Sequence, residues 1–141
     1  MVKFEIIVNS NVNLNSKIHN FQEKLLDQLG NNTKILFEKN TPKHSSKGSN
    51  SYQLIKRENE REIKNTAKYL PWVNDGTGLY GPHHHRIVPK HARVLHFTWK
   101  GKEWFLKSVK GQKGQKFVER SMTEVMKSVE SAVVIASNEL K

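Results

Sequence analysis

Five histidines crowd one stretch of the chain and are its best candidates for binding a metal ion. Residues 83–85 are three consecutive histidines, and His91 and His96 follow. Imidazole nitrogens are common ligands of zinc and nickel. Three adjacent side chains cannot all point at one ion without a contorted loop, and the region holds no carboxylate except Asp75. The spacing therefore favours a surface loop and predicts no metal site.

The residues that enzymes use for catalysis do not fall into a catalytic pattern. Hydrolases and nucleases bring two or more carboxylates to one metal or water. The only aspartates are Asp27 and Asp75, and Asp27 lies in a predicted amphipathic helix. No serine sits in a nucleophile-elbow motif. The run Gly76-Thr77-Gly78 lacks the Gly-Lys-Ser/Thr that completes a phosphate-binding loop. The sequence predicts a protein that is not an enzyme, with no catalytic residue and no cofactor.

A glycine-rich loop is the strongest candidate for a contact with another protein. Gly76 and Gly78 allow close backbone approach, and Tyr80 offers a large contact area with one polar tip. Trp72 and Val73 are expected to anchor the loop as buried side chains. The alternative is a purely structural turn. The candidate contact residues are Asp75, Gly76, Thr77, Gly78, Leu79 and Tyr80.

An aromatic and basic hairpin supports two interpretations. Trp99 and Trp104 flank Lys100 and Lys102, and aromatics beside lysines can stack bases and bind phosphates. The simpler interpretation is a core, because Phe97 and Trp99 share a predicted strand face with an apolar neighbour. We predict that these aromatics cover helices in the core of a small fold.

The composition predicts a soluble protein. The 141 residues suit a single domain and include no cysteine, which excludes disulfides and cysteine-based zinc sites. No run approaches the ~18 apolar residues that a membrane helix needs, so no membrane partner is predicted. The first apolar stretch is short and interrupted by Glu5, so no signal peptide is expected.

Hydrophobic periodicity predicts an α+β fold. A short strand comes first, then a long helix with the apolar stripe Leu14, Ile18, Phe21, Leu25 and Leu29 that ends before Pro42. Two hairpins follow, separated by a short helical turn, and a long helix begins at Phe117. We predict one domain over residues 1–141. A small antiparallel sheet built from the hairpins would pack against both long helices, with mobile loops at about 41–50 and 75–86.

The segment 69–82, Tyr-Leu-Pro-Trp-Val-Asn-Asp-Gly-Thr-Gly-Leu-Tyr-Gly-Pro, resembles the signature Tyr-Ala-x-x-Val-Glu-x-Gly-Thr-Gly of the tail completion proteins of tailed bacteriophages. These are also called head–tail joining or neck proteins. Asn74 or Asp75 stands where that family often has glutamate. The similarity continues in order at Ile87, Pro89, Ala92, 95–97, 104–105, 108–112 and 115–117, and residues 41–42, Gly48 and Ser51 resemble the loop after the family's first helix.

The resemblance implies a structural virion protein. Proteins of this family form a ring, typically of six subunits, that joins the tail tube to the connector of the filled head. It implies as partners the phage neck or connector proteins, the tail-tube protein and further copies of the chain. The implied location is the tail-neck region of the virion, with the host cytoplasm before assembly. Contact with DNA would be weak and non-specific.

The charge leaves a second function open, that of a basic nucleic-acid-binding module. The formal net charge is +11, and between residues 63 and 116 the only acids are Asp75 and Glu103. A basic face is predicted there, and such a face suits nucleic acid. Its alternative is a solvated lysine-rich surface. A dedicated module would bind DNA or RNA tightly with a steep salt dependence.

Overall fold

The computed structural model describes residues 4–7, 16–43 and 46–138. The chain forms two compact units. Unit 1 comprises Met1–Lys68 and Phe117–Lys141, and unit 2 comprises Tyr69–Lys116. The prediction of one domain over residues 1–141 stays a prediction. None of the helices in the described part is both long and apolar enough to cross a membrane.

Unit 1 contains a three-stranded antiparallel sheet and the two long helices. Its elements are β1 (Phe4–Ile7), α1 (Ser16–Asn40), β2 (Tyr52–Arg57), β3 (Glu60–Asn65) and α3 (Phe117–Ser137). The strand order is β1-β3-β2, so β3 is central. Its Ile63 pairs with Leu54 of β2 and with Phe4 of β1. The predicted N-terminal strand, first hairpin and two long helices are confirmed.

The core of unit 1 is centred on α1, which contacts β2, β3 and α3. The buried face of α1 consists of Leu26, Leu29, Gly30, Thr33 and Phe37. Of the predicted stripe, Leu29 is buried, Phe21 and Leu25 are half-buried, Ile18 is exposed, and Leu14 lies outside the described residues. The long C-terminal helix therefore joins this unit mainly through α1.

Gly30 lets α1 approach the sheet closely. A Cβ at this position would lie 3.1 Å from Leu54 Cδ1 and 3.3 Å from Arg61 Cβ. Glycine is a poor helix former, so Gly30 would be expected to weaken the helix. In the structure α1 continues without interruption from Ser16 to Asn40. The absence of a side chain at Gly30 therefore allows the helix to pack closely against the sheet.

Unit 2 contains α2 (Leu70–Asp75) and an antiparallel hairpin of β4 (Leu95–Trp99) and β5 (Lys102–Leu106). The hairpin turn has positive φ at Lys100 (51°) and Gly101 (74°), as two-residue hairpin turns require. The α+β class and both hairpins are confirmed. The two hairpins lie in separate sheets and do not form a single sheet.

The two segments predicted to be mobile loops carry specific hydrogen bonds. In the first, Thr41 and Ser49 are buried, and Thr41 Oγ1 lies 2.6 Å from the Phe37 carbonyl oxygen. Asn65 Nδ2 donates to the Gly48 carbonyl at 2.9 Å. Residues 44–45 lie outside the described residues. In the second segment, residues 77–81 form backbone hydrogen bonds with residues 110–112 or with each other, and the Gly76 amide donates to the Trp72 carbonyl. The mobility of both segments stays a prediction.

Candidate functional site

The glycine-rich loop is paired along its length with a second segment of unit 2. The Thr77 amide donates to the Gln112 carbonyl at 2.9 Å, and the Leu79 amide donates to the Lys110 carbonyl at 2.8 Å. The Gln112 amide returns a bond to Thr77 Oγ1 at 3.0 Å. Hydrogen bonds to residues 110–112 therefore hold the loop in a defined position within unit 2.

The glycines of this loop serve contacts within the chain. Gly78 has φ +62° and Gly111 has φ +88°, and a Cβ on either would collide with backbone atoms of the other segment. Gly76 is buried, and a Cβ there would lie 2.7 Å from the Gly114 nitrogen. The sequence had suggested that Gly76 and Gly78 leave room for a partner's backbone. That reason is wrong, because the approaching backbone belongs to residues 110–114.

Three of the predicted contact residues, Asp75, Leu79 and Tyr80, present side chains at the surface, whereas Thr77 is half-buried. Leu79 and Tyr80 are exposed, Tyr80 to 41%, and Lys113 Nζ lies 5.7 Å from the centre of the Tyr80 ring. Asp75 is exposed, accepts a hydrogen bond from Asn74 Nδ2 at 2.9 Å and lies 3.7 Å from Lys116 Nζ. A contact role for these residues stays a prediction. Their side chains are accessible to a partner.

The burial predicted for Trp72 is wrong. Its side chain is 64% exposed, and only Leu70 and Asn74 of α2 are buried. Val73 is half-buried and its carbonyl accepts a bond from the Gln115 amide at 2.9 Å, so the backbone holds α2 in place. Apolar character alone did not distinguish a core residue from an exposed one. Trp72→Ala therefore removes an exposed aromatic side chain and not a buried one.

The core interpretation of the β4–β5 hairpin is also wrong, since Phe97, Trp99, Trp104 and Phe105 are all exposed. Phe97 is paired with Trp104, and Trp99 is paired with Lys102. The side chains of these two pairs share one face of the hairpin, which we call the aromatic face, and Phe105 lies on the other face. Lys100 Nζ lies 4.7 Å from the centre of the Trp99 ring.

Two open grooves flank the glycine-rich loop. The first, of about 350 Å³, is lined by Thr77, Ile87, Phe97, Trp99, Val109, Lys110, Gly111 and Gln112. The second, of about 340 Å³, is lined by Trp72, Pro82, His83, His85, Ile87 and the loop glycines. Both grooves are mostly apolar, and both are large enough to accept an aromatic or aliphatic group.

Unit 2 is strongly basic. It has the two acids Asp75 and Glu103, against nine lysines and arginines, which gives a formal charge of +7. All nine cations are exposed; they are Arg86, Lys90, Arg93, Lys100, Lys102, Lys107, Lys110, Lys113 and Lys116. The exposed cations are the ones from which the sequence predicted a basic face, and their grouping on one face stays a prediction.

The histidines are spread over the surface of unit 2. Residues 83–85 are exposed, and His84 has φ 51° with its Nδ1 3.2 Å from the Leu79 carbonyl oxygen. His96 stacks on Phe105 at 4.4 Å. Across residues 4–7, 16–43 and 46–138, no three histidine or carboxylate side chains come close enough together to hold a metal ion.

Unit 1 contains an ion cluster around the buried Arg61 that sequence reasoning missed. Arg61 of β3 is 2% exposed and donates to Asp27 at 2.7 Å and to Glu23 at 2.6 Å. Partial burial alone would raise the pKa of Asp27, but hydrogen bonds from Lys56 and Arg61 outweigh it and lower that pKa. The sequence signal for this cluster was the pair of carboxylates Glu23 and Asp27, which lie one turn apart on α1 and so face the same partner. This cluster joins α1 to the sheet.

Comparison with known proteins identified no relative. No family model matches the chain, and neither the curated proteins nor the solved structures include a significant match.

Proposed function

We propose that this chain is a structural protein of a tailed phage or prophage that joins the tail tube to the head connector as part of a ring. The proposal rests on the ordered resemblance across residues 69–117. The single observation that supports an assembly role is the surface of unit 2. Its only buried apolar residue is Leu70, whereas ten of its large apolar side chains are exposed.

The exposed apolar residues of unit 2 are Tyr69, Trp72, Leu79, Tyr80, Ile87, Val88, Phe97, Trp99, Trp104 and Phe105. Apolar surface concentrated in this way on a folded unit marks an interaction surface. Aromatic residues are enriched in the central part of protein interfaces. A protein that functions inside an assembly covers such surface with its neighbours. We therefore assign the exposed Trp72, Leu79 and Tyr80, with the exposed Asp75, to a contact with another protein.

Complementation of a phage or prophage that lacks this gene tests the proposal. Tyr80→Ala and Trp72→Ala both remove exposed surface, so each variant is expected to fold with a loss of stability within about 0.5 kcal/mol. Each is expected to lower the ratio of tailed to tailless particles counted by electron microscopy. Ile35→Ala, which removes a 59% exposed side chain of α1, is the matched control and is expected to join normally.

Three results would contradict this assignment. Tyr80→Ala and Trp72→Ala could join as efficiently as the wild type, or Ile35→Ala could lose joining equally, which would show that the assay reads general destabilisation. Normal particle counts from cells without the gene would contradict the joining role itself. A basic nucleic-acid-binding module, the second candidate, predicts that normal count together with tight DNA or RNA binding.

A further inference from the structure

The aromatic face of the β4–β5 hairpin combines three exposed rings with exposed cations. Phe97, Trp99 and Trp104 lie on one face, and Trp99 is 57% exposed. Lys102 is the cross-strand partner of Trp99, and Lys100 lies over the Trp99 ring. Exposed rings beside lysines form the arrangement on which unpaired bases stack while the cations contact phosphates.

The groove beside this face supplies further contacts for a nucleotide. Its walls include Phe97 and Trp99 on the hairpin and Lys110 and Gln112 on the adjoining segment. An apolar wall accepts a base, a side-chain amide can hydrogen-bond to a base edge, and a lysine can neutralise a phosphate. The groove is open, so a strand could enter and leave along it.

The charge of unit 2 favours a polyanion over a protein as the occupant of this face. Seven of its nine exposed cations are lysines, and lysine is depleted in the central part of protein interfaces. A polyanion compensates the +7 charge directly. A base pair keeps the faces of its bases stacked inside the duplex, so the exposed rings select unpaired bases.

We propose that the aromatic face binds single-stranded nucleic acid without sequence preference. Bases stack on Trp99 and Phe97, and Lys100, Lys102 and Lys110 neutralise the backbone. The groove of this site borders the glycine-rich loop and includes Thr77, but neither Tyr80 nor Trp72 lines it, and the site does not depend on the proposed joining function. The full-length protein can therefore be tested for it in isolation.

Fluorescence anisotropy of a labelled oligothymidine of about 12 nucleotides tests the proposal, with a duplex of equal length and anionic lipid vesicles as competitors. We expect the single strand to bind more tightly than the duplex. Three neutralised phosphates correspond to a salt slope of about −2, so affinity should fall about 20-fold between 50 and 200 mM salt.

Matched variants locate the site. Trp99→Ala removes a stacking ring and is expected to weaken binding about tenfold, whereas Trp72→Ala removes a slightly more exposed tryptophan outside the hairpin and should leave binding unchanged. Lys102→Gln should reduce the salt slope by about 0.7, and Lys39→Gln on α1 should not.

Four outcomes would overturn the proposal. The first two are no binding of the oligothymidine at 50 mM salt and equal or tighter binding of the duplex. The third is that anionic vesicles displace the labelled oligothymidine more effectively than unlabelled single strand does. The fourth is an unchanged affinity of Trp99→Ala for the oligothymidine. Because Tyr80→Ala should still bind the oligonucleotide, loss of joining and loss of binding are read separately.

Discussion

Arg61 is a buried cation whose two carboxylate partners remain partly in water. Its guanidinium also donates to the Arg57 carbonyl at 2.6 Å and the Glu60 carbonyl at 3.0 Å. Removing one member of a buried pair costs about 3–5 kcal/mol. We expect Arg61→Ala to lower the free energy of unfolding by about 3 kcal/mol, because Asp27 and Glu23 can regain water. Urea unfolding followed by far-ultraviolet circular dichroism measures this loss.

Lys56→Ala is the matched control for Arg61. Lys56 Nζ also binds Asp27, at 2.9 Å, but it lies at the surface, where such pairs contribute about 0.2–1 kcal/mol. Equal losses of unfolding free energy in the two variants would mean that the burial of Arg61 contributes nothing to the stability of the fold.

Asp27 makes the stability of unit 1 depend on pH. Its pKa is lowered in the folded state, so the stability it contributes is fully present above its ordinary value of 3.8 and is lost as pH falls through the lower folded value. We expect the wild type to lose more stability between pH 5 and pH 3 than Asp27→Asn, which has no charge to lose. Unfolding curves at the two pH values test this, and equal losses would contradict it.

The hydrogen-bonded pairing of the glycine-rich loop with residues 110–112 depends on Gly111. Its φ of +88° is unfavourable for other residues, and a Cβ would collide with the Thr77 carbonyl. We expect Gly111→Ala to cost more than about 2 kcal/mol, above the usual cost of a left-handed residue. The Thr77 and Leu79 amides should then lose protection from hydrogen exchange.

Gly101 is the matched control for this substitution. It also has positive φ, +74°, but a Cβ there would meet no atom within 4 Å. Gly101→Ala should therefore cost only about 1–2 kcal/mol and leave the Thr77 and Leu79 amides protected. If Gly111→Ala kept full protection, the loop could separate from residues 110–112 without consequence.

The elements could be predicted because their signals are local. The apolar residues of α1 and α3 recur every three or four positions, and apolar and polar residues alternate around Gly101. Each of these patterns can be recognised within a few residues of the chain. Whether Trp72 and Trp99 are buried depends on what lies opposite them, and apolar character is the same for a core and for an interface. Arg61 was missed for the same reason, because its burial depends on acids more than thirty residues away.

The two units differ in how much apolar surface they bury. Among the described residues, nine of the ten buried apolar side chains belong to unit 1, and Leu70 alone belongs to unit 2. Burial of apolar side chains is the main favourable contribution to folding. We therefore expect unit 2 to unfold at a lower urea concentration than unit 1.

Separate spectroscopic signals make this difference measurable in the intact protein. All three tryptophans lie in unit 2, so their indole N–H resonances report that unit, whereas both long helices lie in unit 1 and dominate the circular dichroism at 222 nm. A ligand that binds only the folded form, at a concentration 100 times its dissociation constant, adds about 2.7 kcal/mol. Oligothymidine should therefore raise the indole midpoint and leave the helix midpoint unchanged. Coincident midpoints that shift together would instead indicate one cooperative domain over residues 1–141.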